Sequence, residues 1–396
     1  MVYFNSLTFW CGVFFSYLFI NLKVPFSKTF SFGIINFICL SVLFDIKLAL
    51  ACLGCVSLFW CFLDVIQDQK KSQFFFKLYS LLCIFFLVGL FLLHKSYLDN
   101  PTFFNIGHYL FDRYEPIQPV FMLMSTLAFS YIFLRFLDLF RAVMAGNTIL
   151  DPFSLLGYLV PFYMLASGPV NVYTEYVATN QKKSIKPNFT QLLLCMNLIT
   201  NGLFLKFVCA EGLRILFYGV NGKLQSGDLF NSAFILIYVF FDFAGYSYVA
   251  FGIGKLLDIP TPLNFQSPYI SKTVTEFWTR WHVSLGDFVK RNIFIPLQVT
   301  MIRKWGITYA YWTNLIALIA SFVFVGIWHR LSLKFIIWGI AVGCIVAVEK
   351  IIRDQIIKRD KDFFKKFSFG NILGPFYVFC VIVGTLHFAI QDLLGQ

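Results

Sequence analysis

The stretch 307–328, with the sequence ITYAYWTNLIALIASFVFVGIW, decides the fold class of this chain. It contains no charged residue, and His329 follows it directly. A helix needs about 20 apolar residues to cross about 30 Å of hydrocarbon, so this stretch predicts a transmembrane helix.

Further apolar runs extend that prediction along the chain. They lie at 4–22, 29–46, 48–63, 74–93, 119–143, 190–218, 229–254, 333–349 and 371–394. Hydrophobic residues make up 59% of the sequence and charged residues only 13%, whereas a soluble domain carries roughly 25% charge. We expect an all-α polytopic membrane protein with about 10 to 11 spans, in one membrane-embedded domain covering 1–396. The continuous runs argue against a β-barrel, whose strands alternate in polarity.

One apolar run is too short to be assigned as a span. It covers about 153–166 and is bounded by Pro152 and by Gly168-Pro169. It is consistent with a re-entrant segment, which is tolerated at membrane depth only when protein covers it or when it faces a cavity.

Lysine and arginine residues predict the orientation, because cytoplasmic loops carry an excess of them. With the N-terminus outside and ten crossings, every basic cluster falls in the cytoplasm. These clusters are Lys23 and Lys28; Lys70, Lys71 and Lys77; Arg141, Lys182, Lys183 and Lys186; Lys272, Arg280, Lys290, Arg291, Arg303 and Lys304; and the segment 350–366. The net charge of +12 therefore fits topology and anionic lipids. No basic, aromatic-interleaved arm suggests binding to nucleic acid.

The segment Thr275–Leu285 (TEFWTRWHVSL) concentrates polar and aromatic chemistry in this apolar chain. Glu276 and Arg280 have i, i+4 spacing, as do Trp278 and His282, so each pair is predicted to share a helix face. We expect an interfacial or partly inserted amphipathic helix that ends near Pro296. An interfacial anchor, with tryptophan among lipid headgroups, is an equally good interpretation of the same pattern.

Two of the five histidines follow a tryptophan, at Trp281-His282 and Trp328-His329. Imidazole titrates near neutrality and can accept a proton from a hydroxyl nucleophile. A polar cap at the end of a span is the alternative role for His329. With the predicted topology, His282 lies in a cytoplasmic-side segment and His329 at the outer end of its span. A cavity shared by both would have to reach inward from both faces.

Asp242 lies near the middle of the run 229–254, in Phe241–Ser247. A carboxylate at that depth must pair, bind a proton or face water. Linking two helices is at least as good an interpretation as catalysis, since Ala244 and Gly245 permit close helix approach.

The cysteines predict neither a disulfide framework nor a metal site. All ten lie within or beside apolar runs, and Cys52 and Cys55, although spaced as C-x-x-C, fall inside a predicted span. No Cys/His set has zinc spacing. The first apolar run lacks a basic region before it and reads as a retained span rather than a signal peptide.

Taken together, these motifs resemble the membrane-bound O-acyltransferase family, in its bacterial branch that modifies cell-envelope polysaccharides. The resemblance is dense over 240–340 and elsewhere rests on the succession of apolar spans. It is carried by Phe241–Ser247, Asn264-Phe265, Pro268–Ser271, Glu276–Trp278, Arg280–His282, Ser284-Leu285, Ile295–Leu297, Gly326 with Trp328-His329, and the Gly168-Pro169 turn.

The resemblance implies a ring of helices around a central funnel and acyl transfer from a thioester to a hydroxyl. His329 corresponds to the family's invariant-type histidine and His282 to its second, Trp-preceded histidine. On this basis we assign donor or substrate binding to Trp278, Arg280, Trp281, Asp242, Asn264, Trp328 and Arg330, and no metal ligand.

Within the branch, two kinds of relative compete. One transfers D-alanine from a phosphopantetheinyl carrier protein to teichoic acid, and the other O-acetylates alginate, cellulose or peptidoglycan. The short chain and Phe241–Ser247 favour D-alanyl transfer, whereas 274–278 and 295–297 resemble the acetyl branch. Two departures stand out: Gln298-Val299 replaces a Gly-Gly pair, and Arg330 replaces a glycine. Beside the predicted base, Arg330 would depress its pKa or contact an anion.

The resemblance also implies partners and a location. No permanently bound cofactor is expected; the donor is a cytoplasmic acyl carrier protein or acetyl-CoA. Arg280, Lys290 and Arg291 would attract an acidic carrier or donor phosphates, although positive-inside bias explains them equally well. Membrane lipids, a polysaccharide acceptor and an extracytoplasmic acyltransferase are the other expected partners, in a bacterial inner membrane. A glycolipid transporter and a scaffold for a periplasmic acyltransferase remain the non-enzymatic alternatives; neither a repeat nor a charged transport route supports the former.

Overall fold

The computed structural model describes residues 3–22, 26–68, 73–99, 128–179, 187–219, 227–359 and 370–394, together with Gly222 and Leu224. In these ranges the chain is helical, apart from turns and an isolated β-bridge. The α-helices are α1 (Leu7–Ile20), α2 (Lys28–Leu43), α3 (Ile46–Asp68), α4 (Gln73–Asp99), α5 (Phe129–Met144), α6 (Pro152–Leu159), α7 (Tyr173–Ala178), α8 (Phe189–Phe204), α9 (Glu211–Tyr218), α10 (Leu229–Leu257), α11 (Val274–Arg280), α12 (Val283–Val289), α13 (Ile295–Trp305), α14 (Ala310–His329), α15 (Leu333–Arg359) and α16 (Gly370–Leu394).

Seven helical stretches of the described chain are long and apolar enough to cross a membrane. They are Ile46–Gln67, Leu78–Lys95, Phe189–Tyr218, Leu229–Leu257, Ile307–His329, Leu333–Ile356 and Leu373–Ile390. Shorter apolar helices cover Leu7–Ile20, Lys28–Leu43 and Pro152–Met164. The chain is thus an all-α, multi-pass membrane protein, as predicted. The expected ten crossings and the outside N-terminus stay predictions.

Some sequence predictions fall outside the described residues. They concern the first part of the apolar run 119–143 and the lysines at 23, 70–71, 182–186 and 361–366.

The described chain divides into two compact units. The first comprises 1–200 and 248–262, and the second comprises 201–247 and 263–396. Both Trp-His pairs belong to the second unit, whereas the short apolar run belongs to the first.

In the first unit, the predicted re-entrant run is covered by protein. Every residue of 154–165 is buried. Asp151 caps α6 by accepting from the Ser154 N–H at 3.0 Å. Beyond α6, the fully buried Arg135 of α5 donates to the carbonyl oxygens of Leu159 at 3.0 Å and Pro169 at 2.9 Å. A guanidinium with several donors is suited to carbonyls that no regular helix satisfies.

In the second unit, glycines bring α14 and α15 into close contact. A Cβ on Gly339 would lie 2.5 Å from the carbonyl oxygen of Phe322, and one on Gly326 would collide with the carbonyl of Phe335. Small residues let helix backbones approach in membranes, where packing rather than the hydrophobic effect holds spans together. This contact fixes α14, the helix that ends in His329.

The predicted amphipathic helix after residue 272 is broken rather than continuous. It forms α11 and α12, with His282 between them at φ 50° and ψ 50°. Pro296 was expected to end the helix, and that prediction was wrong. It lies at the start of α13, which follows a π-helical segment, Lys290–Phe294. Helical backbone runs without a break from Val283 through this segment to Trp305, so Pro296 lies inside the run, just after its π-helical turns.

Candidate active site

The turn between α11 and α12 presents His282. Hydrogen bonds on both sides hold the backbone: the Val283 N–H donates to the Asn264 carbonyl at 2.9 Å, and the Gln266 N–H donates to the Arg280 carbonyl at 3.0 Å. Phe265 and Trp281 form an antiparallel bridge. These bonds keep a non-glycine residue in the left-handed region, which such residues seldom adopt.

The side chain of Asn264 completes this support. Its amide donates to the Ser247 hydroxyl at 3.1 Å, and its carbonyl oxygen accepts from the Ser284 hydroxyl at 2.6 Å. All three residues are buried. Asn264, predicted to bind the donor or substrate, therefore lies behind the His282 turn and joins α10, the loop before α11, and α12.

The first turn of α11 is tied to α15 by one carboxylate. Glu349 accepts from the backbone N–H groups of Val274 at 2.8 Å and Thr275 at 2.7 Å. The Thr273 hydroxyl accepts from the Glu276 N–H at 3.0 Å. Because the first N–H groups of a helix lack partners within it, these acceptors stabilise α11 at a defined position.

His282 is enclosed by aromatic rings. Its ring centroid lies 4.8 Å from that of Phe243 and 6.2 Å from that of Trp328, and the residue is only 4% exposed. Burial, with a smaller contribution from His329, lowers the pKa of His282 to about 3. The imidazole is therefore neutral at physiological pH.

His329 is the last residue of α14 and is exposed. Its ring lies 4.7 Å from the Trp328 ring and 6.3 Å from the Trp338 ring. Trp328 is buried between the two histidines, against which its ring makes edge contacts. The structure thus brings together the two Trp-His pairs, which are far apart in sequence.

Both histidines line one cavity of about 190 Å³. The other lining residues are Trp278, Trp281, Leu285, Gly286, Val289, Lys290, Phe294, Leu318, Ser321, Phe322 and Val325. Most of this surface is hydrocarbon or aromatic. Apart from the histidines, its strongest polar group is the cationic side chain of the exposed Lys290, so the cavity suits a mainly apolar ligand that carries an anionic group.

The remaining predicted site residues lie in different surroundings. Trp278 and Trp281 line the cavity. Arg280 forms an ion pair with Glu276 at 2.8 Å, confirming that predicted spacing, and also donates to the Gln266 carbonyl at 3.2 Å. Arg330 is 8% exposed and does not line the cavity. Its backbone N–H donates to the Gly326 carbonyl at 3.0 Å.

Asp242 is paired, which is one of the three states predicted for it. Its carboxylate forms an ion pair with Lys206, in the π-helical segment Leu205–Ala210 between α8 and α9. Neither Lys206, the partner of Asp242, nor Glu349, the acceptor at α11, was predicted. A charge inside each apolar run was the available signal for both.

No group of three or more histidine, cysteine or carboxylate side chains in the described chain is arranged to hold a metal ion. The site is instead a pair of imidazoles beside an apolar cavity. Such a pair is suited to proton transfer during acyl transfer.

Comparison with known proteins adds an independent finding. Residues 227–389 match the model of the membrane-bound O-acyltransferase family, and this stretch contains His282, His329 and every residue that lines the cavity.

Curated relatives match more of the chain than the family model does. The teichoic acid D-alanyltransferase of Bacillus subtilis is 29% identical over 57% of this chain and 59% of its own length. The corresponding protein of Streptococcus thermophilus is 27% identical over 68% of this chain and 69% of its own length. The peptidoglycan O-acetyltransferase of Helicobacter pylori is 29% identical over 48% of this chain and 36% of its own length. The chain therefore spans between about a third and about two thirds of these relatives.

The matched stretch, the relatives and the paired Trp-His motifs agree with one another: residues 227–389 of this chain are similar to the membrane-bound O-acyltransferase family.

Proposed function

We propose that this protein is an O-acyltransferase that moves D-alanine from a cytoplasmic carrier-bound thioester to a hydroxyl of a cell-envelope polysaccharide. The observation that carries the proposal is the single cavity lined by His282 and His329. The D-alanyl donor is favoured because two relatives that align over 57% and 68% of the chain are named as teichoic acid D-alanyltransferases.

His329 is the proposed general base, because it is exposed and lines the cavity. It accepts the proton of the acceptor hydroxyl, and the oxygen forms a bond to the thioester carbonyl carbon. The C–S bond then breaks, and the departing thiolate takes the proton from His329. General base catalysis of this kind contributes roughly 10² to 10⁴ in rate.

His282 is the proposed neutral neighbour of the base in this step. It is buried and neutral, and its contact with Trp328 keeps it close to His329. A neutral imidazole leaves the neighbouring base free of a repelling positive charge. The apolar walls exclude water, which would otherwise compete for the thioester.

Lys290 is the cation best placed to meet the donor. It is exposed and lines the cavity, so it would attract the phosphate of a phosphopantetheine arm or of acetyl-CoA. This role serves both donors and does not distinguish them.

The test uses the purified protein in lipid vesicles. One set receives a carrier protein loaded with labelled D-alanine, and a matched set receives labelled acetyl-CoA; both contain a glycerol-phosphate polymer and, separately, a peptidoglycan fragment as acceptors. We expect label on the glycerol-phosphate polymer from the carrier and none in a His329→Ala control.

The outcomes separate the alternatives. Transfer from acetyl-CoA alone would replace the D-alanyl assignment with O-acetylation. No transfer from either donor, or equal transfer by His329→Ala, would contradict the proposed enzymatic function.

A further inference from the structure

A second cavity, of about 740 Å³, lies within the first unit. It shares no lining residue with the cavity of the two histidines. Two helices each contribute three residues with i, i+3, i+4 spacing, which places the three on one helix face. These residues are Gln191, Leu194 and Cys195 on α8 and Phe251, Gly254 and Lys255 on α10. The cavity thus lies between one face of α8 and one face of α10.

α8 and α10 touch at the deep end of this cavity. A Cβ on Gly252 would lie 2.7 Å from Cγ1 of Ile199 and 3.2 Å from the carbonyl oxygen of Cys195. From this contact the lining residues continue toward the start of α8 and the end of α10. The contact therefore bounds the cavity inside the apolar, span-length part of both helices.

The loop that follows α10 forms another wall, because residues 259–262 also line the cavity. The Ile259 N–H donates to the Gly254 carbonyl at 2.9 Å, and the hydroxyls of Thr261 and Tyr163 are hydrogen-bonded at 3.0 Å. Thr261 approaches so closely that a Cβ on Gly254 would lie 2.0 Å from its hydroxyl oxygen. These contacts give the wall a defined shape without a ligand, as is usual for binding sites of small molecules.

Apolar and polar residues line different levels of the cavity. Leu194 and Phe251 lie inside their spans. Lys255 lies near the end of its span, and Glu175 lies on the short helix α7, outside the candidate spans. The cavity therefore extends from the depth of the hydrocarbon to the level of the lipid headgroups, which suits an amphipathic ligand.

Two opposite charges line the cavity without pairing. In the part of the chain that the structure describes, neither the Lys255 ammonium nor the Glu175 carboxylate forms an ion pair, with each other or with another residue. Asp258, the third charged residue of the lining, is paired with Lys28. Lys255 and Glu175 are both exposed, so each is available to a charge on a ligand.

We propose that this cavity binds a phospholipid whose zwitterionic headgroup carries a primary ammonium, such as phosphatidylethanolamine. The lipid phosphate accepts from Lys255, the lipid ammonium donates to Glu175, and an acyl chain packs against Leu194 and Phe251. Basic pockets between transmembrane helices are known sites for lipid headgroups. Glu175 adds selectivity, because a purely anionic headgroup would place its charge near this carboxylate without compensation. The assignment depends on neither the acyl donor nor the acceptor.

The first test compares headgroups on the intact protein. The protein is purified in detergent and titrated with short-chain phosphatidylethanolamine or, separately, with phosphatidylglycerol of the same chains, and native mass spectrometry gives each dissociation constant. We expect phosphatidylethanolamine to bind about tenfold more tightly, because it satisfies both charges of the cavity. Equal affinities would indicate ordinary contact with surface lipid and would overturn the proposal.

Two charge variants assign the contacts. Glu175→Gln should weaken phosphatidylethanolamine about tenfold and leave phosphatidylglycerol no weaker, whereas Lys255→Gln should weaken both lipids about tenfold. Asp45→Asn and Lys47→Gln are the matched controls, because both residues are exposed at the start of another span and line neither cavity. A loss of the same size for both lipids in Glu175→Gln would overturn the contact with the ammonium.

A pair of tryptophan variants tests the location. Leu194 lines the cavity and is 49% exposed, whereas its neighbour Leu193 is 52% exposed and does not line it. Leu194→Trp should fill part of the cavity and weaken phosphatidylethanolamine at least about tenfold, and Leu193→Trp should bind it as the wild type does. Equal binding by the two variants would place the lipid elsewhere.

A soluble competitor distinguishes the lipid from its headgroup alone. Glycerophosphoethanolamine carries both charges but no acyl chain, so it should displace the bound lipid only at a concentration at least about a hundredfold higher than that of the lipid. Displacement at an equal concentration would show that the site takes a soluble phosphoethanolamine compound, and it would overturn the lipid assignment.

Discussion

His282 and His329 line the same cavity, yet their surroundings differ. His282 is buried in a left-handed turn and held by hydrogen bonds on both sides. His329 is the last residue of the 20-residue helix α14 and is exposed. The difference supports the distinct roles that we propose: a reacting hydroxyl would reach the exposed His329, whereas His282 would shape the wall behind it.

The strongest test of that difference compares two alanine variants. His329→Ala should lower acyl transfer by about 10² to 10⁴ and leave the thermal unfolding midpoint near that of the wild type, because an exposed side chain contributes little packing. His282→Ala should lower both turnover and stability, the latter by about 2 to 4 kcal/mol, because it leaves a hole among aromatic rings. Activity and thermal unfolding in detergent measure the two effects. Equal losses of stability would contradict the assigned roles.

The second prediction concerns pH. The pKa of His282 is lowered to about 3 in the folded protein, against 6.5 for an ordinary histidine. Below pH 6.5 the unfolded chain binds this proton and the folded chain does not, so stability falls as the pH decreases from 6.5 toward 3. At pH 5 the loss is about 2 kcal/mol.

Thermal unfolding at pH 7.5 and pH 5, for wild type and His282→Asn, measures this contribution. The wild type should lose more stability than the variant on acidification. An identical pH dependence would show that His282 is not a source of the acid sensitivity.

The third prediction addresses the support of the turn. Asn264→Ala leaves the Ser247 and Ser284 hydroxyls without their amide partner, and each lost buried hydrogen bond costs about 1 to 3 kcal/mol. Turnover should fall with stability because the His282 turn loosens. Thr300→Ala, which removes an exposed hydroxyl bonded to the Pro296 carbonyl, is the control and should change neither. If Asn264 instead binds the donor, turnover falls while the unfolding midpoint stays at its wild-type value.

The smallest expected effect belongs to Arg280. Its ion pair with Glu276 is about one third exposed on both sides, and exposed pairs contribute less than about 1 kcal/mol. Arg280→Gln should therefore shift the unfolding midpoint only slightly and leave the KM for the donor unchanged. A tenfold rise in that KM would instead favour direct contact with the donor, as the resemblance first suggested.

The sequence was sufficient to predict the membrane class and to single out the two histidines that line one cavity, because apolar length and rare polar residues are properties of the chain itself. The helix break at His282 could not be predicted. It depends on hydrogen bonds from the loop containing Asn264 and Gln266, which periodicity does not encode. The prediction at Pro296 failed for a related reason: proline disfavours a helix interior, yet here it follows a π-helical segment within a continuous helical run, and periodicity does not reveal that segment.

The ion pair between Asp242 and Lys206 could be predicted only in part. Asp242 stood out because a carboxylate is rare in an apolar run, and pairing was one of its predicted states. Its partner Lys206 lies 36 residues earlier, on another helix, and the π-helical segment that contains Lys206 has no simple sequence signature. Each charged residue inside an apolar run could thus be identified from the sequence, but only the structure shows which of them pair with one another.

The glycine contact between α14 and α15 has a consequence for motion. Because backbone meets backbone at Gly326 and Gly339, α14 cannot slide or roll against α15 without collision. We therefore expect the two helices to move together and to carry His329 with them. If the cavity widens to admit the proposed donor, we expect the change in the opposite wall, where α11 and α12 are only seven residues each and meet at a turn.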